Sequence, residues 1–219
     1  MKIFDGLEGF LWINPTTNNC NSYLINGPKN ILIDPGHHHL FSHVLDNLSL
    51  LSMSLEDIDM VIITHGHPDH LEALRRFTGS STTLAIGERE FEFINQVAPH
   101  YGEALGIPNF EPHILLREGH LEVDGIQLQI IPSPGHSPGS ICLYWPDKKA
   151  LFTGDVIFNG GIGRTDLPGG NGEQLKASIR RLSELDLEYL LPGHGDIIVG
   201  QTQINANFRE IEDFWFGYI

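Results

Sequence analysis

The sequence predicts an α/β fold, because short apolar runs typical of β-strands alternate with segments of helical periodicity. The chain has 219 residues and 41% of them are hydrophobic, which is enough to bury a continuous core. No linker rich in Pro, Ser or charge interrupts the sequence, and it contains no low-complexity tract. We therefore expect one domain that spans residues 1–219.

Eight runs combine apolar residues with β-branched or aromatic ones and are predicted to be strands. They cover residues 9–13, 21–26, 30–34, 60–64, 82–86, 128–132, 141–145 and 150–153. The spacing of apolar residues predicts helices over 40–51, 71–77 and 173–185. A closing helix is also predicted, because one stripe carries Ile204, Phe208, Ile211 and Trp215. This alternation favours helices that cover sheets.

One stretch is predicted to be a loop, and the role of another is left open. The stretch 160–172 contains six glycines and begins shortly after Asp155, so it is predicted to be a loop. The segment 88–112 mixes short helical runs with prolines and carries aromatic residues that include Phe91 and Tyr101. The sequence leaves open whether this segment is a lid over a substrate pocket or a surface excursion. Those two side chains either line the pocket or pack in the core.

The charge balance excludes several classes of partner. The chain has 13 Lys and Arg against 28 Asp and Glu, a formal net charge of −15, which repels phosphate backbones and anionic membranes. The adjacent basic pairs, 75–76 and 180–181, lie in predicted helices and are expected on solvated faces. We expect a small-molecule substrate, with neither nucleic acid nor a membrane as partner.

The sequence also bears on cellular location. No apolar run of about 18 residues occurs, which argues against a membrane span, and the first residues lack the apolar region of a secretory signal. Cys20 and Cys142 are too few for a disulfide framework and are typical of a reducing compartment. We therefore expect a cytoplasmic protein. A homodimer is left open, because a terminal aromatic cluster either forms a contact patch or docks on the chain's own helices. The cluster comprises Phe214, Trp215, Phe216 and Tyr218.

A dense group of potential metal ligands directly follows the apolar run 61–63. It reads Thr64, His65, Gly66, His67, Pro68, Asp69, His70. Side chains two apart at the end of a strand point to the same side, so His65 and His67 can converge on one ion. Pro68 cannot continue the strand. Asp69 and His70 are then expected to begin a helix and to face a second ion.

Three further candidate ligands occur in the same setting, a tight Gly or Pro turn after an apolar run. They are His136, Asp155 and His194. Imidazole and carboxylate groups suit zinc, iron, manganese or cobalt. Seven ligands are too many for one tetrahedral ion, so two ions that share a carboxylate are predicted. Two ions about 3.5–4 Å apart hold a bridging water and activate it without a Ser or Cys nucleophile.

These residues resemble the signature of the metallo-β-lactamase superfamily, His-x-His-x-Asp-His followed by a distant His, an Asp and a last His. The run 31–36 is similar to the early strand and Asp-x-Gly turn of that fold, so the resemblance covers about residues 20–200. It implies a four-layer αββα sandwich. It also implies the ligand sets of the two ions: His65, His67 and His136 for the first, and Asp69, His70 and His194 for the second, with Asp155 bridging.

Within the superfamily, the run 163–170 is similar to the glyoxalase-II-like and persulfide-dioxygenase-like branch. The resemblance implies a binuclear hydrolase in which a metal-bridging hydroxide attacks a thioester, ester or lactone carbonyl. Asp69 would orient the metal-bound water, and Asp155 is the second predicted catalytic residue. Zinc is the favoured metal, with iron or manganese as alternatives. Family glyoxalase II enzymes carry a C-terminal helical domain, whereas this chain ends soon after His194, so glutathione specificity is not implied.

Other functions are weighed against this prediction. A mononuclear iron persulfide dioxygenase would use only the positions that match His65, His136 and Asp155, a two-histidine, one-carboxylate face. A di-iron module beside a flavin domain is disfavoured, because those members carry Glu where this chain has His67. The acidic charge balance disfavours a nuclease.

Structural roles are expected for the remaining candidates. Asp34 is expected to cap a turn, and Arg164 either anchors the Gly-rich loop through a carboxylate or meets an anionic substrate group. The consecutive histidines 37–39 are expected to diverge from a solvated loop. Four others lack partners at ligand spacing and are expected on surface or helix positions. These are His43, His100, His113 and His120.

Overall fold

The computed structural model describes residues 1–97 and 109–219 in full, and the backbone of 98–101 as the end of a helix. The side chains of residues 98–101, which include His100 and Tyr101, lie outside the described residues, as does the whole of 102–108. The strands of the first part of the chain are β1 (Lys2–Phe4), β2 (Leu7–Phe10), β3 (Ser22–Ile25), β4 (Ile31–Ile33), β5 (Met60–Ile63), β6 (Thr83–Gly87) and β7 (Ile114–Leu116). Those that follow are β8 (Gly119–Val123), β9 (Ile126–Pro132), β10 (Ile141–Trp145), β11 (Ala150–Gly154), β12 (Ile157–Phe158), β13 (Gly161–Ile162), β14 (Tyr189–Pro192) and β15 (Ile198–Val199).

These strands form two mixed sheets and a small hairpin. The first sheet has the order β1 to β7, and β4 to β7 run parallel to one another. The second sheet has the order β15-β14-β11-β10-β9-β8, in which β11 and β14 are parallel. The separate hairpin pairs β12 with β13. The carboxyl ends of β9, β11 and β14 lie at one edge, because β10 runs antiparallel to both β9 and β11.

Helices cover the outer face of each sheet. The α-helices of the described chain are α1 (Ser42–Leu50), α2 (Pro68–Leu71), α3 (Glu88–Tyr101), α4 (Gly172–Ser183) and α5 (Gln201–Phe214). Single 3-10 helices occupy His38–Leu40, Leu55–Asp57, Glu72–Phe77, Pro146–Lys148 and Trp215–Gly217. Within the described residues, no helix combines the length and the apolar character needed to cross a bilayer.

The apolar core explains the order of these layers. In β4, Ile31 and Ile33 point into the cluster between the two sheets, while Leu32 points into the cluster under the helices of the first sheet. This alternation follows from the period of two in a strand, and all three side chains are buried because both faces are covered. A third cluster joins the second sheet to α4 and α5. The fold is therefore a four-layer αββα sandwich, as the sequence predicted.

Most predicted elements are present, with some differences. The run 9–13 is displaced, since β2 ends at Phe10 and Ile13 is exposed. The predicted helix 71–77 is the last residue of α2 followed by a 3-10 helix. The Gly-rich stretch 160–172 is not entirely a loop, because β13 lies within it. Sequence reasoning missed the short or half-buried edge strands, such as β8, whose side chains alternate between half-buried and exposed.

The terminal aromatic cluster divides between two environments. Trp215 and Phe216 pack against the cluster of the second sheet, so they dock on the chain's own helix layer. Phe214 and Tyr218 remain exposed. Docking on the chain's own helices therefore holds for Trp215 and Phe216. A contact patch formed by Phe214 and Tyr218, and with it the homodimer, stays a prediction.

Candidate metal centre

The predicted ligands meet where strands of the two sheets end. The motif that begins at His65 follows β5 of the first sheet. His136 comes after β9, Asp155 directly after β11, and His194 after β14, all at the same edge of the second sheet. The sheets are linked at this edge, since Asn21 donates from its backbone to Gly193 O at 2.6 Å. The order of the strands thus gathers groups that are up to 129 positions apart in the sequence.

One group of three imidazoles forms the first half of the site. His67 Nδ1 lies 2.8 Å from His136 Nε2, and the ring centroid of His65 lies 4.8 Å from those of both other histidines. One ring nitrogen from each of the three lies within 4.8 Å of the other two, a spacing compatible with a shared ion. His65 and His136 are almost fully buried.

A second group combines two imidazoles with a carboxylate. His194 Nε2 lies 3.2 Å from Asp69 Oδ2 and 3.3 Å from His70 Nε2. Asn18 donates from Nδ2 to the same Asp69 oxygen at 2.7 Å and so fixes the carboxylate. These three side chains also place one ligand atom each within 4.8 Å of the others.

Asp155 spans both groups, with one oxygen facing each. Its Oδ1 lies 3.1 Å from His70 Nε2 and 3.4 Å from His194 Nε2. Its Oδ2 lies 3.4 Å from His136 Nε2 and 3.9 Å from His65 Nε2. All seven residues singled out in the sequence are therefore brought together, in the two sets that the family resemblance implied.

Hydrogen bonds outside the site fix which ring nitrogen faces inward. His136 donates from Nδ1 to Arg164 O at 2.8 Å, because a carbonyl can only accept. His70 Nδ1 faces Asp34 Oδ2 at 2.9 Å. The Thr64 hydroxyl donates to Asp34, so it is free to accept from His65 Nδ1 at 3.1 Å. With Nδ1 engaged in this way, each of these rings directs its Nε2 into the site, and Nε2 is the nitrogen that would bind a metal ion.

Asp34 is a residue whose function the sequence did not reveal. Its carboxylate is buried and accepts from Thr64 N at 2.8 Å and from Thr64 Oγ1 at 2.7 Å, besides facing His70. Its positive φ of 52° does fit the expected turn. The carboxylate nevertheless does more than shape that turn, since it positions His70 directly and His65 through Thr64.

Glu90 is a second residue that sequence reasoning missed. This buried side chain of α3 accepts from Gly66 N at 2.7 Å with Oε1. Its Oε2 accepts from Ser137 Oγ and from Gly139 N, both at 2.8 Å. Burial raises its pKa, although these three donors oppose that shift. Glu90 therefore ties the loop of the first motif to the turn that carries His136.

The electrostatics of the site favour a positive charge between the carboxylates. Burial lowers the pKa of His67 to about 4, and the nearby His136 acts in the same direction. Burial also acts to lower the pKa of His194, but the adjacent carboxylates of Asp155 and Asp69 raise it to about 9. Burial acts to raise the pKa of Asp155, but the charge of His70 and the close approach of His194 lower it well below its usual range. The carboxylates thus stabilise a cation here.

Two features of the protein fit a metal at this place. Among the described residues, the buried side-chain atoms without a hydrogen-bond partner are Asn30 Oδ1, His65 Nε2 and Asp155 Oδ1. Two of these three are predicted ligand atoms, and burying them unpaired is costly unless a ligand satisfies them. The close packing of Gly193 is the other feature, since a Cβ there would lie 2.5 Å from Asp155 Oδ1. The residues present therefore fit metal ions.

A cavity of about 570 Å³ opens onto the site. Its walls include the apolar side chains of Phe158, Ile162 and Leu167, and its rim includes Arg164. The Arg164 guanidinium makes two hydrogen bonds to Asp166, at 2.8 and 2.7 Å. Of the two roles considered for Arg164, this contact matches the carboxylate anchor.

Within residues 1–97 and 109–219, the other histidines lie outside this centre. His43 donates to Phe10 O at 3.0 Å, and His113 Nδ1 accepts from Leu84 N at 3.0 Å, so both have structural partners. The expected divergence of histidines 37–39 is wrong for two of them. His37 and His39 both approach Glu72, with their rings 4.9 Å apart.

An αββα sandwich that gathers imidazoles and carboxylates at the ends of its inner strands defines a class of metal-dependent enzyme. The family model described as the Metallo-beta-lactamase superfamily matches residues 15–201. The chain therefore belongs to the metallo-β-lactamase superfamily, and it is a metal-dependent hydrolase.

Three relatives illustrate this membership. The probable metallo-hydrolase MJ0888 of Methanocaldococcus jannaschii is 38% identical over 81% of this chain and 88% of its own length. The hydroxyacylglutathione hydrolase GloC of Haemophilus influenzae is 34% identical over 83% of this chain and 82% of its own length. The crystal structure of TTHA1623 in a di-iron-bound form has a TM-score of 0.69 and 29% identity, and covers 85% of this chain and 92% of that one.

Proposed function

We propose that this protein is a binuclear metal-dependent hydrolase that cleaves thioesters, with hydroxyacylglutathione-type thioesters as the first candidates and other esters and lactones as further ones. The observation that carries the proposal is the position of Asp155, whose two oxygens each face one of the two ligand groups. A carboxylate in that position suits a bridge between two ions. A single ion would leave one group of nitrogens without a role.

The donor set supports divalent transition metals. In this proposal His65, His67 and His136 hold one ion, and Asp69, His70 and His194 hold the other. Zinc is the favoured metal because imidazole and carboxylate suit it, and iron or manganese suits the same donors. The relative TTHA1623 was solved with two irons, which supports two ions and keeps iron as an alternative. When bound, two such ions lower the pKa of a water towards about 7 and polarise the carbonyl of the substrate.

The chain's own residues would orient the reactants. Asp69 is fixed by Asn18 at the mouth of the cavity, where its carboxylate can accept a hydrogen bond from the attacking water. Phe158 and Leu167 offer an apolar wall for the acyl part of the substrate. Tight placement of water and carbonyl in this way accounts for a large part of hydrolytic catalysis.

The substrate class rests on the cavity and on one relative. GloC is named as a hydroxyacylglutathione hydrolase, and 82% of its length lies within the alignment to this chain. This similarity supports a thioester as the first substrate class to test. Arg164 lines the cavity rim but is paired with Asp166, so a strongly anionic substrate is not required.

The test is a hydrolysis assay on zinc-loaded and iron-loaded protein with three substrate types: a hydroxyacylglutathione thioester, a carboxylic ester and a lactone. We expect thioester cleavage that is lost on chelation and restored by the metal. Asp155→Asn should lower kcat/KM on the order of 10²-fold or more, as for loss of a principal electrostatic group. The matched control is Asp147→Asn, at an exposed site far from the centre.

Failure to cleave any of these substrates would overturn the proposal. Oxygen uptake by the iron-loaded protein with a persulfide would then favour the dioxygenase alternative. In that case one ion held by His65, His136 and Asp155 would be sufficient.

A further inference from the structure

A second cluster of ligand-type side chains lies on the surface, apart from the seven-residue centre. It consists of His37, His39 and Glu72. His37 Nδ1 lies 2.9 Å from Glu72 Oε2, and His39 Nδ1 lies 3.9 Å from the same oxygen. The three ligand atoms all lie within 4.8 Å of one another. The cluster shares no side chain with the centre described above.

The dimensions of the cluster match those of a coordination site. Ligands at 2.0–2.1 Å from a tetrahedral ion lie roughly 3.3 Å from one another. The two contacts to Glu72, 2.9 and 3.9 Å, bracket that value. The contacts that Asp155 makes in the main centre cover a similar range, from 3.1 to 3.9 Å. Small side-chain shifts would therefore complete either site.

The backbone holds the cluster in place without a metal. Asn19 Oδ1 accepts from His37 N at 2.8 Å, and Glu72 Oε2 accepts from His38 N at 3.2 Å. Ala73 N donates to Gly36 O at 2.8 Å, which fixes the two segments against each other. The imidazoles of His37 and His39 thus start from a convergent arrangement, which reduces the entropy lost on binding.

Exposure leaves room for the remaining ligands of an ion. The side chain of His39 is 66% exposed, whereas those of His37 and Glu72 are 20% and 17% exposed. Water can therefore fill the open coordination positions. The other carboxylate oxygen, Glu72 Oε1, faces Arg75 at 3.9 Å, so the ion pair and the cluster use different oxygens. The net charge of −15 also favours the approach of a cation.

We propose that His37, His39 and Glu72 form an accessory site for one divalent transition-metal ion of the zinc, nickel and copper type. Two imidazoles and one carboxylate form a donor set that prefers such ions to magnesium or calcium. Binding clamps the segment after β4 to the 3-10 helix Glu72–Phe77, which itself follows the ligands Asp69 and His70. The site is independent of the reaction proposed above.

The test counts bound zinc by equilibrium dialysis of the full-length, tag-free protein at roughly micromolar free zinc. We expect His39→Ala to bind one zinc fewer per chain than the wild type. Glu72→Gln should behave in the same way, because Gln keeps its hydrogen bonds as an acceptor but loses the charge. Any ion still bound there should be held at least about tenfold more weakly.

The chain offers a matched control in His38→Ala. The side chain of His38 takes no part in the cluster, and its backbone N–H to Glu72 is unaffected. This variant should bind as many zinc ions as the wild type. Equal zinc binding by His39→Ala and the wild type would overturn the proposal. Equal losses of zinc in His38→Ala and His39→Ala would overturn it as well, because they would indicate that any histidine of a flexible run binds the ion. The dialysis experiment does not measure thioester turnover, so failure of the accessory-site proposal can be distinguished from failure of the hydrolase proposal.

Discussion

At the scale of single residues, the partners of the predicted ligands were harder to predict than the ligands themselves. The seven candidates carry a recognisable residue type and follow apolar runs, so the sequence identifies them. Asp34 stands in an Asp-x-Gly turn that the sequence marks only as a turn, and its partners Thr64 and His70 lie 30 and 36 positions away. Such contacts arise only when strands become neighbours, which local patterns do not determine.

Replacing Asp34 with Asn should weaken metal binding without removing a ligand. Asp34 Oδ1 accepts from Thr64 N, while Oδ2 accepts from Thr64 Oγ1 and faces His70 Nδ1. An amide has one oxygen in place of two, so in either orientation its NH₂ group faces Thr64 N or His70, and the positioning of the His70 ring is disturbed. We expect a loss of about 10- to 100-fold in metal affinity, measured by competition with a chromophoric chelator. Asp46→Asn, on the exposed face of α1, is the control. Unchanged affinity in Asp34→Asn would contradict the positioning role.

Gly193→Ala tests the close packing beneath the centre. A Cβ at this position would lie 2.5 Å from Asp155 Oδ1 and 2.7 Å from His70 Cε1, so these side chains must move. We expect loss of bound metal and of hydrolysis, on the order of 10²-fold for a displacement of about 1 Å. Gly217→Ala, where a Cβ meets nothing within 4 Å, should match the wild type in metal analysis and assay.

At the scale of elements, strand direction explains the site. Apolar runs predicted most of the inner strands, because both of their faces are buried, although β14 was not among the predicted strands. The shared direction of the strands then places their carboxyl ends at one edge. The same reasoning failed for Glu72–Phe77, where apolar spacing does not separate a 3-10 helix from an α-helix. It also failed for edge strands such as β8, whose half-exposed residues give a weak apolar pattern.

Glu90→Gln probes how α3 supports the two ligand loops. An amide can accept from Gly66 but not also from both Ser137 and Gly139, so at least one buried donor loses its partner. We expect the free energy of unfolding to fall by about 1–3 kcal/mol, measured by urea denaturation. Metal affinity should fall as well. Glu92→Gln, exposed on the same helix, should change stability little, and an equal effect in both variants would rule out the role of Glu90.

At the scale of the whole molecule, the negative net charge and the metal centre both favour the binding of cations. The net charge of −15 includes the buried carboxylates of the centre, whose mutual repulsion an ion relieves. The basic pairs agree with the expected solvated faces, since Arg180 pairs with Glu212 and Arg181 with Glu118. The absence of a nucleic-acid partner stays a prediction.

Removing the metal should destabilise the entire sandwich, because the ligands come from both sheets. Binding at 100 times the Kd adds about 2.7 kcal/mol per ion and about 5.4 kcal/mol for two ions, so chelation should lower the Tm by about 10–20 °C. Differential scanning calorimetry with and without chelator measures this shift. In the His39→Ala background, which removes the accessory cluster, the double variant His65→Ala and His194→Ala should not respond to chelator. If chelator also left the Tm of the wild type unchanged, bound metal would not stabilise the contact between the two sheets.

The central claim is that the seven residues hold two ions, and counting metal tests it most directly. The protein would be purified tag-free and without added metal, as the His39→Ala variant so that the accessory cluster does not contribute, and its metal measured against chain concentration. We predict about two zinc, iron or manganese ions per chain, together with thioester hydrolysis. About one iron per chain, with oxygen uptake on a persulfide and no hydrolysis, would contradict the binuclear hydrolase.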